Sequence, residues 1–594
     1  MLTAKREINL FKPIFWGGIV GAVIYLALYG LALLDVTYVD WIYSKYVGGD
    51  MCAYQFGWEF YRNDDWQFPI GYMSKLRYGV GQGGMGLLYM DLVPLFAVFF
   101  KLIRAVLPVH FQYLGLWHLF CFILQGAFAS AILKKYLSSI WTCLGLTPLF
   151  VMTSFMLWRT FRHSALGGQW VLLFALMIWV YKDEYFFNAK RQLIAWVAAT
   201  ALTIWVQIYF LLPVGITMVC FLLEDWIEHK RTMKVLLIFF SCVAGVFLSF
   251  WQLGGFVLSI GKVSGFGHYS MNLLSLFDSD GFSSVLPDIP SSDGNYEGWN
   301  YLGLAGIILL VISLVSTLYR LALDDGWPRE IEGERLARLL AVGMFFLATT
   351  VVALSPVVYC GPKIILDYSW FSLYTKIMSP FRCSGRTFWI ATYVILLFST
   401  VTVFKRIRKP AAAVILALAL VAVQIYDFHP LIQEMHWRTH HQIEYTSPLS
   451  SDIWDDIAEK VEHVFRLSYD HWGYAEEFPL DFYATENDLT INNAYIGKNN
   501  DEENLENIAQ GIHAVMTNDL EPDTLYCVLD NRAFTEANMT GEDVVELHVD
   551  GYHVYIHKSI WDQLDQEKYQ DIYRESTGEY LTAREAYMAE NADV

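Results

Sequence analysis

Apolar runs of about twenty residues, the length that crosses a bilayer as a helix, recur through most of this chain. They lie at Phe15–Leu34, Met85–Leu107, Leu114–Leu133, Ile140–Trp158, Ala165–Tyr181, Leu193–Leu223, Val235–Leu258, Tyr301–Tyr319, Leu336–Tyr359, Thr387–Phe404 and Ala411–Tyr426. The Leu193–Leu223 run is too long for one span and Pro213 interrupts it, so it predicts a tight helix pair. Met85–Leu107 holds Asp91 and predicts a segment that either crosses the membrane or only dips into it. The period changes after the first run. From Asp50 to Tyr61, residues Met51, Tyr54, Gly57, Trp58 and Tyr61 share one helical stripe, which predicts a short amphipathic helix along the membrane surface. After Tyr426 the apolar runs stop. Ser450–Phe465 reads as an amphipathic helix through Ile453, Trp454, Ile457, Val461 and Phe465. A strand over Phe465–Tyr469, a helix near Glu503–Val515 and a buried strand over Leu525–Asp530 follow. Val544–Val549 and Tyr552–His557 then form a hairpin turning on Asp550-Gly551, and the last stretch reads as an acidic helical tail. The expected fold is an α-helical polytopic membrane protein of about 11 spans. Its membrane part is residues 1–430, and a small α/β domain occupies 431–594.

Composition sharpens that division. The chain has 594 residues, is 55% hydrophobic and carries 17% charged residues, as polytopic membrane proteins do. Its net charge of −19 is unevenly spread. From Leu431 onward, 35 acidic side chains face 9 basic ones, a net of −26, which leaves 32 basic against 25 acidic, or +7, for the rest. The tail is therefore an acidic water-soluble domain, and nucleic acid is excluded as a partner. Lys405-Arg406-Ile407-Arg408-Lys409 is a dense basic turn between two runs and predicts a cytoplasmic loop. With the basic N-terminus also cytoplasmic, the C-terminal domain and the loops 35–85, 259–300 and 360–386 fall on the outer, extracytoplasmic face. Most of the eight cysteines sit in apolar runs as buried thiols, although Cys360 and Cys383 could pair across one loop.

Asp50 leads the candidate chemistry. A carboxylate held at the bilayer surface suits proton removal from an acceptor hydroxyl, and the bland alternative is an N-cap for the surface helix. Asn63-Asp64-Asp65-Trp66-Gln67-Phe68-Pro69-Ile70-Gly71 follows it, and then Tyr89-Met90-Asp91-Leu92-Val93-Pro94-Leu95. This series resembles the membrane-embedded glycosyltransferases of the GT-C superfamily. Those enzymes carry an Asp in the first external loop, a "G-D-W…P…G" turn about sixteen residues on, and a His-Pro-Pro-Leu-like start to the next apolar segment. The chain lacks the Asp-Glu pair and the true His-Pro-Pro-Leu, and looks closest to a bacterial branch with a C-terminal external domain. The resemblance implies a glycosyltransferase, inverting in outcome, that takes a monosaccharide from a polyprenyl-phosphate donor in the plasma membrane. A glycan, teichoic-type polymer or lipid of the cell envelope would be the acceptor.

Asp91 would be a second catalytic group, because an ionisable side chain inside an apolar run is costly without a task or partner. Arg159, Arg162 and His163 stand where GT-C relatives have an Arg followed by an acidic residue. No carboxylate follows here, so a metal-binding second acidic motif is not supported; no cofactor is expected, with a divalent metal left open. In the loop Gly265–Leu302, His268, Tyr269 and Glu297 are expected to face a sugar, and an aromatic interfacial belt would use the same residue types. Asp278-Ser279-Asp280 imitates an Asp-x-Asp motif but equally makes an ordinary turn. Arg382 and Arg386 bracket Ser384 and Gly385 at the start of a span, as a fork for a phosphate oxygen pair would. Plain snorkelling to headgroups is the alternative. Arg62, on the Asp50 helix, completes the expected substrate contacts. Readings from other classes are a transporter or flippase of lipid-linked sugars and an envelope-assembly scaffold.

Overall fold

A computed structural model describes residues 9–43, 49–81, 83–90, 92–257, 265–323, 333–440, 444–468, 478–495, 501–529 and 543–574. Asp91 and the acidic tail beyond residue 574 lie outside the described residues. The chain forms two compact units: Met1–Val39, Pro108–Ser249 and Val263–Gln442 make one, and Asp40–Leu107, Phe250–Lys262 and Ile443–Val594 the other. This division differs from a cut at residue 431, because the loop that carries Asp50 clusters with the C-terminal part.

Among the described residues, eight helices are long and apolar enough to cross a membrane: Phe11–Tyr29, Leu114–Tyr136, Ile208–His229, Thr232–Gln252, Gly303–Ala322, Gly333–Leu354, Ser384–Phe404 and Pro410–Asp427. A ninth span results if Ile140–Val151 and Ser154–Thr160, bent by 57°, count as one. The helical part is thus compatible with a multi-pass membrane protein, and among the described residues it has fewer full-length candidate spans than apolar runs. Met85–Leu107 accounts for part of the difference: it breaks into a two-residue strand, a turn and the nine-residue helix Pro94–Leu102. The long run near residue 200 does divide, but the break falls between Val206 and Leu211. Pro213 sits in the first turn of the second helix, where a missing N–H leaves no internal partner unmatched.

The first unit is held by close helix contacts. Phe11–Tyr29 packs on Leu114–Tyr136 through Gly17, Gly21 and Gly126, and a Cβ at any of these would collide with the opposing backbone. Small residues at such a seam permit the van der Waals packing that drives helix association in lipid.

The second unit centres on six strands: β1 His463–Arg466, β2 Thr490–Ile491, β3 Thr524–Leu529, β4 Val544–Val549, β5 Tyr552–His557 and β6 Tyr573–Arg574. Their order is β6-β4-β5-β3-β1-β2. The pairs β1–β2 and β1–β3 are parallel, while the β4–β5 hairpin turns at Asp550-Gly551 as its two-residue turn predicts. The helix expected over Ser450–Phe465 is only Ile453–Ala458, because His463 onward is drawn into the sheet. The Asp50 helix runs Gly49–Asn63 and belongs to this unit's core. Trp58 is 1% exposed, and Gln55 and Arg62 on other faces are buried as well. A helix enclosed on all sides has no face to lay on a membrane, which corrects the surface-helix expectation.

Candidate functional site

In the helical unit, three segments converge on one carboxylate. The 3-10 turn Asn295–Gly298 presents Glu297; the turn Ser384–Phe388 presents Arg386; the helix Ser154–Thr160 presents Arg159 near its end. Two glycines make the convergence fit. A Cβ on Gly385 would lie 2.5 Å from Gly298 Cα, so any other residue would push the Glu297 and Arg386 turns apart. Asn295 fixes the first turn by donating to Ser270 O at 3.1 Å and accepting from Asn272 Nδ2 at 3.0 Å. Ser154 Oγ donates to Tyr301 O at 2.7 Å, which seats the Arg159 helix against the same loop.

Arg159 Nη2 lies 2.7 Å from Glu297 Oε2, and Arg386 reaches that oxygen with Nε at 2.9 Å and Nη2 at 2.6 Å. All three residues are buried. Burial alone would push the Glu297 carboxyl up, but Arg159, Arg386 and then His163 outweigh it and hold it well below the usual range. Two guanidinium groups on one carboxylate leave a net positive charge in this interior.

Aromatic rings surround it. Arg386 lies over the Tyr209 ring at 4.5 Å, Arg159 over Tyr296 at 5.8 Å and Arg382 over Tyr269 at 6.0 Å. His268, exposed, rests its ring 4.8 Å from Tyr269. Arg382 Nε and Ser384 Oγ are buried without a hydrogen-bond partner. Arg159, His163, Tyr269, Glu297, Arg382 and Arg386, picked from separate loops, thus gather around one place. The picture differs from a two-arginine fork, however, because Arg386 is engaged by Glu297 through Nε and Nη2, whereas Arg382 Nε has no hydrogen-bond partner. Arg162 stacks on Trp158 at 3.5 Å. Tyr209 and Tyr296 were not legible as members: one sits between two apolar helices, the other beside Glu297 in a loop rich in aromatics.

The second unit holds Asp50 and Arg62. Asp50 lies in the first turn of its helix, half-buried, and accepts a hydrogen bond from Tyr495 Oη at 2.9 Å. Arg62 is 3.7 Å from Glu59 and donates to Leu107 O at 3.4 Å, so it serves the interior of this unit. Asp64 organises the turn after the helix, accepting from Ser74 N at 2.5 Å and Ser74 Oγ at 2.8 Å.

Metal-ligand geometry is sparse. Asp278 accepts from the backbone of Asp280 at 3.1 Å and of Ile289 at 3.2 Å, so the Asp-x-Asp segment is a loop former. Among the described residues, one group, Glu462, His463 and Asp523, has its ligand-type atoms within 4.8 Å of one another. His463 Nδ1 is 2.6 Å from Thr490 Oγ1 and the ring stacks on Tyr78 at 3.8 Å, which gives that histidine a structural task at the sheet edge.

Comparison with known families places these residues. A family described as Domain of unknown function (DUF6311) matches residues 18–429, more than half of the chain. The chain belongs to this family. The DUF6311 C-terminal domain matches residues 453–557, from the helix Ile453–Ala458 to the end of β5. Asp50, Arg159, Glu297, Arg382 and Arg386 all fall within the first DUF6311 match, and Tyr495 within the second. No curated protein matches the chain.

Proposed function

We propose that this DUF6311 member is a membrane glycosyltransferase of GT-C type. It moves a monosaccharide from a polyprenyl-phosphate donor to a cell-envelope acceptor on the outer face of a bacterial plasma membrane. The observation that carries the reading is the buried basic assembly in the helical unit. Arg159 and Arg386 over-neutralise Glu297, and Arg382 Nε and Ser384 Oγ beside them have hydrogen-bonding capacity to offer. Such a place, at the start of an apolar span, suits the phosphate of a lipid-linked sugar, with Tyr269 and His268 beside it for the sugar. Asp50 is assigned as the base. The acceptor oxygen bonds to the anomeric carbon as the bond from that carbon to the phosphate oxygen breaks. The proton passes to a carboxylate base, the role that the GT-C resemblance gives Asp50, and the electron pair leaves on the phosphate.

Purified protein in lipid nanodiscs, supplied with a panel of polyprenyl-phosphate sugars, tests both parts. Wild type should bind at least one donor, and Asp50→Asn should keep that binding while losing transfer. A variant with near wild-type transfer removes Asp50 as the base; a wild type blind to every donor removes the donor class. Orientation has its own test. Ser447→Cys should react with a membrane-impermeant thiol reagent in intact cells and Lys409→Cys only after permeabilisation, and the reverse pattern inverts the assignment.

A second reading, a carrier of lipid-linked sugars, draws on the ion pairs of Glu224, fully buried in an apolar span, with Lys182 at 2.6 Å and Arg338 at 3.1 Å. Movement of labelled lipid across liposomes without transfer would favour it.

A further inference from the structure

We infer that the segment Lys363–Ile377 lies in the headgroup–acyl boundary of the bilayer and anchors the helical unit there. This inference is independent of the proposed reaction. The segment holds a hairpin strand, Lys363–Asp367, and a short helix, Ser372–Met378, and neither is long enough to span. Every residue of the strand is exposed, on both of its faces. Ile364, Ile365 and Leu366 are 54%, 57% and 54% exposed, and beyond them Trp370 is 80% and Ile377 62% exposed. Apolar groups this numerous and contiguous are not left in water without a reason.

The chain path says what covers them. The span Gly333–Leu354 ends three residues before the strand Val357–Cys360, and the span Ser384–Phe404 begins six residues after Met378. The segment is therefore tethered at both ends to the membrane boundary. Its exposed side continues that of the span, where Leu347 and Val351 are also exposed. The placement is rigid: Tyr368 Oη donates to Ser355 O at 2.7 Å, and Tyr374 Oη to Val351 O at 3.4 Å. Gly361 N donates to Asn272 Oδ1 at 3.0 Å, which holds the hairpin tip. A strand with one unpaired edge cannot sit in the hydrocarbon core, where backbone groups find no partner. Trp370 and the flanking Lys363 and Lys376 match the amphipathic composition of the interface instead.

The test uses the full-length protein in nanodiscs with Cys360→Ser as background, the other seven cysteines being buried. A nitroxide is attached in turn at Ile365→Cys, Trp370→Cys and, as a water-exposed reference, Glu459→Cys. Collision rates with oxygen and with a water-soluble nickel chelate are read by paramagnetic resonance. At 365 and 370, oxygen should collide severalfold more often relative to nickel than at 459. Oxygen-to-nickel ratios equal to that at 459 would put the segment in water. Low collision with both reagents would mean that protein, a second copy or a partner, covers it. Either result overturns the inference.

Discussion

Glu297 in the helical unit and Asp481 in the second unit are both enclosed carboxylates facing arginine, yet their surroundings drive them in opposite directions. Burial pushes Asp481 up to about 7, since the single Arg466 at 3.2 Å offsets only part of the desolvation. Glu59 in the same unit behaves likewise, raised to about 8 with Arg62 at 3.7 Å. Glu297 has two guanidinium groups within 2.7 Å and is held low. One cation does not repay the loss of water around a buried carboxylate, and two do. The helical unit has thus built a fixed ionic cluster, whereas the second unit keeps carboxyl groups that titrate near neutrality.

The comparison breaks first at Glu297. Glu297→Ala strands two buried guanidinium groups and should cost about 3–5 kcal/mol, read as a fall in Tm in detergent micelles. A fall no larger than that of a surface substitution would show that the cluster is not a fixed structural element.

Arginine substitutions sharpen it next. Arg382→Ala should weaken donor binding roughly ten- to a hundredfold at nearly unchanged Tm, about 1.5–3 kcal/mol of charge-assisted hydrogen bonding. Arg382→Lys should recover only part, because an ammonium lacks the fork. Arg386→Ala should act mainly on Tm, since its donors hold Glu297. Equal donor binding by wild type and Arg382→Ala would make Arg382 a membrane anchor.

The smallest effect is in pH. Asp481 and Glu59 have folded values above those of the unfolded chain. Their contribution is therefore full below about pH 4 and is lost as pH rises through about 7 to 8. Glu297 has the opposite sign: its contribution is present above the ordinary carboxylate range and is lost only as pH falls below it. Asp481→Asn should flatten the loss of stability between pH 5 and 7, which in the wild type is on the order of 1 kcal/mol per pH unit and is read as a shallower fall of Tm. An unchanged slope would mean that Asp481 does not titrate in that window.

Much of the fold was legible because hydrophobic length and turn chemistry are local. The spans at Phe11–Tyr29 and Pro410–Asp427 and the Asp550-Gly551 hairpin follow from a few neighbouring residues. The dissolution of Met85–Leu107 into short pieces was not, because apolar content does not reveal whether a segment ends up against lipid or inside a protein core. The same blindness hid the burial of Trp58. At the candidate site, residue types singled out Arg159, Glu297 and Arg386, but not that Glu297 would hold both arginines. That pairing depends on Gly298 meeting Gly385, a contact between distant loops. Tyr495 was beyond reach for the same reason, lying 445 residues from Asp50.

The ion cluster also sets a schedule for the ribosome. Arg159 leaves the exit tunnel 138 residues before Glu297, and Arg386 follows Glu297 by another 89. At ~5–20 residues per second, Arg159 waits roughly seven to twenty-eight seconds for its counter-ion, while the helices on either side are already entering the membrane. During that interval the bent segment Ser154–Thr160 must stay wet or be sheltered by the insertion machinery. Nascent chains halted between Arg159 and Glu297 should accordingly be marked for degradation, whereas chains halted beyond Arg386 should survive.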